Sequence, residues 1–439
     1  MAILMAGKKL FYTAEKAALS YIIGVGMVSL EMMVLQVSGI PFTIISLSLS
    51  SVPFILLAVF FSRRDISVLQ TTDIDRNVSV FTPLEKFLIA AITLEIVYAF
   101  FRALIKPIES YDSIAFYAFK AKIFYLAGGI PKNFITDFKD IVPHVDYPLL
   151  LPLTETSLYT FIGSLNDQVV KVIFPLFYLS VITIFYSVAR RMLSRKTSLV
   201  FTFMLASIPQ LRDHATIGYA DLPLAVFFSA SFFYLFLWMR QKKSGFLMLS
   251  FLCGMLSAWT KTEGLVLFAV NAAALIVCVL LDSKKNRSRA VAMYTLALIF
   301  FVGVVLVTKR FLGLPFHGDF VTTSSIKSAC FAERISWLPR IFYEYQRQFF
   351  GPKKWNIIWV IFIVLAAFNI RAIARKDTML PTIVIAFCFF SYTAIYLITP
   401  LDVNFHVNKT IGRLLLHFVP IIVLWIALIY KRWYGSEST

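Results

Sequence analysis

The chain has 439 residues, of which 59% are hydrophobic and only 15% charged, and its formal net charge is +18. A soluble domain carries about 25% charged residues, so this composition excludes an ordinary soluble protein. It also removes nucleic acid as the meaning of the positive charge, because the Lys and Arg residues fall in short segments between apolar runs, where they set membrane topology.

The apolar runs approach the roughly 20 residues that a helix needs to cross a bilayer. A backbone in lipid must satisfy its own hydrogen bonds, and Leu-, Ile- and Phe-rich runs do so as helices. The alternating segments of an outer-membrane barrel are absent. The four cysteines, Cys253, Cys278, Cys330 and Cys388, have no metal-ligand spacing and suggest no disulfide framework. The N-terminal segment lacks a cleavable signal pattern, so the first run is expected to stay as an anchor.

Taken in order, Lys8, Lys9 and Lys16 precede a run at about 17–38, and a Ser38–Pro41 turn leads to a second at about 42–61, stopped by Arg63 and Arg64. A third, at about 84–105, opens after Pro83 and enters a long polar segment, 106–166. Runs follow at about 168–189, 198–211 (short) and 222–239. The stretch 246–281 reads as two short spans, because WTKTEG at Trp259–Gly264 would otherwise put Lys261 and Glu263 at mid-bilayer depth. Runs at about 290–308, 355–370, 380–399 and 414–430 complete the series, with a second long loop at 309–354. The expected fold is an all-α polytopic membrane protein of about twelve spans. It forms one integral membrane domain over 1–439, without a separate soluble domain.

Charge sets the orientation. With the N-terminus inside, every short inside segment carries a basic cluster, such as Arg63/Arg64, Arg190/Arg191, Arg240/Lys242/Lys243 and Lys431/Arg432. Both termini are then cytoplasmic. The longer segments, 106–166, 212–221, 309–354 and 400–413, are external and hold His144, His214, His317 and His406.

Candidate chemistry gathers in these external segments. In SYDSIAFYAFKAKIFYLAGG a helix is expected from Asp112 to Leu126, ended by Gly128-Gly129; Lys120 and Lys122 among aromatics suit a helix lying at the membrane interface. Asp112 stands at its N-terminus, as a functional carboxylate or as a plain N-cap. His144, Asp146 and Glu155 line a cavity beside it or are solvated loop residues. Asp221, in GYADLP, is a second functional acid or another N-cap. Lys261 and Glu263 form a structural ion pair or part of the site. Arg413, with His406 and Lys409 before it, suits a phosphate, through a guanidinium that bonds two oxygens at once, or anchors the span at the interface. His417, further into the run, reads as a satisfied bundle histidine. No Walker A, GxGxxG or HExxH pattern occurs.

Five stretches together resemble a known family: YDSIAFYAFKAKIFY, HVDYPLLLP, GYADLPLA, WTKTEG and TPLDVNFHVNKTIGRLLLH. They are similar to the multi-spanning GT-C glycosyltransferases of bacteria. The nearest look is to the branch of the dolichyl-phosphate-mannose protein mannosyltransferases and the lipid A aminoarabinose transferase. The resemblance runs from about 84 to 430. It implies a GT-C-like fold whose external first loop carries interfacial helices. It implies a polyprenyl-phosphate-linked sugar as donor and a lipid, glycan or protein acceptor. It also implies a site on the external (periplasmic) face of the cell membrane.

The family's first-loop aspartate corresponds to Asp112, as base or acceptor-orienting group. Its donor-phosphate residues correspond to Arg413, with His406 and Lys261. His144, Asp146, Glu155, Asp221 and Glu263 would line the acceptor cavity. The chain departs from the mannosyltransferases at Ser113, where they carry a second acid, and lacks a counterpart of the large external C-terminal domain of several relatives. Phosphate leaves as a stable anion, so the step needs no general acid; no cofactor is specified, and a divalent metal is left open, with Asp112, His144 and Asp221 as ligands only if the loops bring them together. The competing class is a transporter or flippase of a lipid-linked saccharide. Against it, Glu31, Glu95 and Arg102, the main charges inside the runs, lack relay spacing.

Overall fold

The computed structural model describes residues 12–63, 80–138, 144–145, 147–281, 334–370, 375–399 and 401–434, with isolated positions between 292 and 303. Among the described residues the chain is all helical. The helices α1 (Thr13–Val37), α2 (Ile44–Arg63) and α3 (Pro83–Ile105) come first. A π-helix over Ser113–Ala118 runs into α4 (Phe119–Ala127), followed by α5 (Phe134–Phe138), α6 (Leu150–Ile162) and α7 (Asp167–Val170). Then come α8 (Ile173–Arg190), α9 (Arg195–Ala206), α10 (Pro209–His214), α11 (Asp221–Gln241), α12 (Ser244–Thr260) and α13 (Thr262–Leu281). The last described helices are α14 (Leu338–Phe349), α15 (Pro352–Trp355), α16 (Ile358–Phe368), α17 (Lys376–Ile398), α18 (Val403–Leu416) and α19 (Val419–Tyr434).

Among the described residues five helices are long and apolar enough to cross a membrane, or six if the bent pair α18–α19 counts as one. Each expected apolar run coincides with a helix, except 290–308, which falls mostly outside the described residues. Several of these helices are shorter than a full span. With a rise of about 1.5 Å per residue, α9 covers only about 18 Å, and α10 folds back so that Arg212 pairs with Glu95, midway along α3, at 3.0 Å.

The helix ends follow local sequence. TPLE starts α3 with a capping box: Thr82 accepts from the Glu85 N–H, and Glu85 accepts from the Thr82 N–H at 2.8 Å, with Pro83 at the first helical position. Gly128 ends α4 at φ 61, as expected of that glycine pair. The α18–α19 pair bends by 52°. Pro420 explains the bend, because without an N–H it cannot continue the ladder to the Leu416 carbonyl.

The core sits around α11, whose apolar stretch is 94% buried, against 22% for α3. On α3, Phe87, Leu94, Val97 and Phe101 form an exposed apolar outer face, as lipid contact requires.

Ion pairs sort the helix ends into two sets. Arg191 meets Glu15 at 2.6 Å, Arg195 meets Glu85 at 2.8 Å, and Arg240 meets Asp377 at 3.1 Å. All six lie at ends that the topology expected from the basic clusters puts on one side. At the opposite ends, Asp112, Asp221, Lys261 and Arg413 meet one another. This is the pairing that consecutive antiparallel spans produce.

Candidate active site

Asp112 occupies the N-cap position of the π-helix but makes no capping hydrogen bond. Its Oδ2 instead accepts from Arg413, 301 residues later in the chain. A π-helix is under-wound relative to an α-helix and is frequent at functional sites. Here its first residue, Ser113, donates to the Ile217 carbonyl and so ties the first loop to the turn before α11. Gly218, at φ +85, faces the same serine: a Cβ there would stand 3.1 Å from Ser113 Oγ. The glycine of GYADLP therefore serves both backbone angle and close approach.

Asp221 opens α11, where the helix dipole favours a carboxylate. Its Oδ2 accepts from Arg413 Nε at 3.0 Å and lies 2.9 Å from Nη2. Its Oδ1 accepts from Lys261 Nζ at 3.0 Å and lies 3.2 Å from His417 Nε2. His417 Nδ1 is 2.7 Å from the Tyr392 hydroxyl. Lys261 is the break between α12 and α13, with an extended backbone (φ −158, ψ 157), and also meets Glu263 at 2.8 Å. Gly264 makes this hairpin close, because the Ser257 carbonyl oxygen lies only 1.8 Å from where a Cβ would sit.

The result is a chain of alternating charge: Asp112, Arg413, Asp221, Lys261, Glu263. Its middle is sealed, with Asp221 at 0% and Lys261 at 4% side-chain exposure. Its ends are open, with Asp112 at 21% and Glu263 at 20%. Asp112 Oδ1 has no hydrogen bond among the described residues. A guanidinium has five N–H donors; the hydrogen bonds to Asp221 and Asp112 engage Nε and one donor on Nη1, which leaves three, with Nη2 beside Asp221 Oδ2. The Tyr219 ring lies under the guanidinium at 4.7 Å. The Tyr117 hydroxyl, on the π-helix, is buried without a hydrogen-bond partner among the described residues. Burial, reinforced by the Asp221 carboxylate, pushes its pKa well above the ordinary phenol value.

The structure thus brings five of the candidate site residues into one ion chain, from four separate segments, with His417 beside Asp221. The others lie apart from this ion chain. His406 is buried with its ring edge on Tyr396 at 5.2 Å. His144, at φ 54, stacks on Tyr147 at 4.6 Å and meets Phe116 at 4.9 Å. Glu155 is fully buried on α6, and neither carboxylate oxygen has a partner among the described residues. Burial pushes its pKa well above the usual carboxylate range, with Asp167 adding and Lys122 opposing. Asp146 lies outside the described residues. Among the described residues no group of three His, Cys, Asp or Glu side chains could hold a metal ion.

The interfacial placing of the first-loop helix needs correction at Lys120. That side chain is completely buried and donates to the carbonyls of His144 at 2.6 Å and Val145 at 3.2 Å, because the loop folds back over α4. Lys122 pairs with Asp167 at 2.7 Å. The two N-cap alternatives also fall away: Asp112 caps nothing and Ala220, not Asp221, holds the N-cap position of α11. Sequence reasoning missed Tyr117, Tyr219 and Tyr392, whose aromatic character merged with that of the apolar runs.

Comparison with protein-family models, with curated proteins and with solved structures gives no match.

Proposed function

We propose that the chain is an inverting glycosyltransferase that moves a sugar from a polyprenyl-phosphate donor to a hydroxyl or amine of a lipid, glycan or protein acceptor. One observation carries the reading: segments that the alternating topology sends to one side meet in a single ion chain, and its Asp112 end keeps a carboxylate oxygen unengaged. In the proposed step Asp112 Oδ1 orients the acceptor and takes its proton as the acceptor atom bonds to the anomeric carbon. The bond from that carbon to the phosphate oxygen breaks on the opposite face, and its electron pair leaves with the phosphate. A positioned base of this kind contributes roughly 10²–10⁴-fold.

Arg413 meets the phosphate with its remaining donors, and each such contact in a shielded site supplies on the order of 3 kcal/mol. Asp221, Lys261 and Glu263 are positioning residues that hold the guanidinium. The ion chain has three carboxylates and two cations, so its formal charge is −1 and further cations must meet the phosphate. Lys354 Nζ lies 3.6 Å from where a Cβ of Gly412, the residue before Arg413, would sit.

The proposal includes about twelve spans, both termini in the cytoplasm and the ion chain on the external face of the cell membrane. Single cysteines at Ser164 and Lys243 should then label from opposite sides; labelling from one side contradicts the topology. The test of function is purified protein in lipid with radiolabelled polyprenyl-phosphate sugars. Release of polyprenyl phosphate with transfer of the sugar is expected. Movement of the intact donor across the bilayer without cleavage would instead identify a transporter.

A further inference from the structure

His214 closes α10 and is only 4% exposed. Its Nδ1 lies 2.9 Å from the Gln210 carbonyl oxygen, one turn back. A carbonyl only accepts, so Nδ1 carries the proton and Nε2 presents a bare lone pair. Among the described residues Nε2 is buried with no hydrogen-bond partner. Burial pushes the imidazole's pKa down to about 4, with Asp221 opposing and Arg413 assisting, so the ring is neutral at neutral pH and this tautomer persists. A buried acceptor without a donor is costly, and native structures rarely leave one so.

The position of this lone pair matters. The His214 ring meets Tyr219 edge-on at 5.8 Å, and the Arg413 guanidinium also lies against Tyr219, at 4.7 Å. The same six-membered ring therefore touches both a pure acceptor and a pure donor. A pyranose has about the same width, and in a glycosyl phosphate its hydroxyls lie one ring away from the phosphate. Arg413 attracts a phosphate oxygen. His214 Nε2 repels one, because two lone pairs would face each other, and it accepts from a hydroxyl.

We propose that His214 Nε2 accepts a hydrogen bond from a hydroxyl of the donor sugar and so fixes which way round the glycosyl phosphate lies along Tyr219. This rests on the donor proposed above. The orientation places the sugar on the His214 side and the phosphate on the Arg413 side.

The test uses the full chain in lipid nanodiscs, with undecaprenyl phosphate and its mannosyl, glucosyl and galactosyl esters as probes. His214→Phe keeps a ring and removes the lone pair. It should weaken the tightest sugar-bearing probe about tenfold, the loss of roughly one hydrogen bond, and leave undecaprenyl phosphate unchanged. In ¹⁵N spectra assigned with His214→Gln, Nε2 of wild type should be unprotonated at neutral pH and should shift with the sugar-bearing probe alone. Equal weakening of both classes of probe, no weakening of either, or a protonated Nε2 at rest would overturn the assignment. If wild type binds none of the probes, the donor itself is wrong, and the role of His214 falls with it.

Discussion

Two buried ion clusters sit at opposite ends of the bundle, and they are built differently. At one end Glu15, fully buried, accepts from Arg191 at 2.6 Å, from the Tyr234 hydroxyl at 2.7 Å and from the Tyr12 N–H at 3.2 Å. Arg191 also donates to the Ser187 carbonyl and packs on the Tyr12 ring. Both carboxylate oxygens are engaged, and the cluster fastens the start of α1 to α8 and α11. At the other end, the Asp112–Glu263 chain is equally well satisfied in its middle but leaves open an Asp112 oxygen, the Tyr117 hydroxyl and His214 Nε2. Buried charge alone therefore does not mark a site. What separates the two is hydrogen-bonding capacity left unfilled beside partly exposed charge.

The comparison breaks most readily at the two central carboxylates. Asp221→Asn leaves Arg413 and Lys261 buried around a neutral amide, and Glu15→Ala leaves Arg191 without its anion. Breaking a buried pair in this way costs roughly 3–5 kcal/mol, so both variants should show strongly lowered melting temperatures in lipid. They should differ in function. Glu15→Ala, assayed below its melting point, should keep normal turnover per folded molecule, whereas Asp221→Asn should lose it because Arg413 is no longer held. Loss of turnover in both would erase the distinction.

A smaller effect is expected at Gly264. An Ala Cβ there would meet the Ser257 carbonyl oxygen at 1.8 Å, and backbone cannot yield as a side-chain tip can. Overpacking of this kind costs about 1–3 kcal/mol. Because it also displaces the Lys261 break, Gly264→Ala should lower turnover as well as the melting temperature. Gly24, with nothing within 4 Å of its would-be Cβ, is the control, and Gly24→Ala should leave both unchanged.

The smallest effect is a pH dependence confined to the open end. The His214 pKa is lowered from 6.5 to about 4 in the folded protein, so folding favours the neutral ring. The unfolded chain takes up the proton first as pH falls. Stability is then complete above about 6.5 and declines as pH drops towards 4. The melting temperature of His214→Phe should fall less over that interval than that of wild type; parallel curves would show that His214 does not titrate this way.

Much of this was legible in the sequence, for definite physical reasons. Hydropathy placed the helices, Gly128 and Pro83 marked their ends, and WTKTEG announced the α12–α13 break, since two charges inside an apolar run demand one. The helix ends that meet are those that the alternation of basic clusters assigns to a common side. The Arg413–Asp112 contact followed less directly, because a contact across most of the chain leaves no periodic trace. The π-helix, the bend at Pro420 and the burial of Lys120 were not legible: each depends on tertiary neighbours, the carbonyls at 144–145 in the case of Lys120. Twelve spans were expected, yet only five or six helices are long and apolar enough by themselves. A run such as that of α9 reads as a span in the sequence but stops short where α10 turns back.

The central claim is that Asp112 acts through its unengaged oxygen and is not merely a partner of Arg413. Asp112→Asn preserves size and one carbonyl oxygen towards Arg413, so the fold should persist. Sugar transfer by purified protein in lipid, measured beside a thermal melt, decides the matter. The account predicts a melting temperature close to wild type and turnover lower by roughly 10²-fold or more. A well-folded Asp112→Asn protein with full turnover would contradict it.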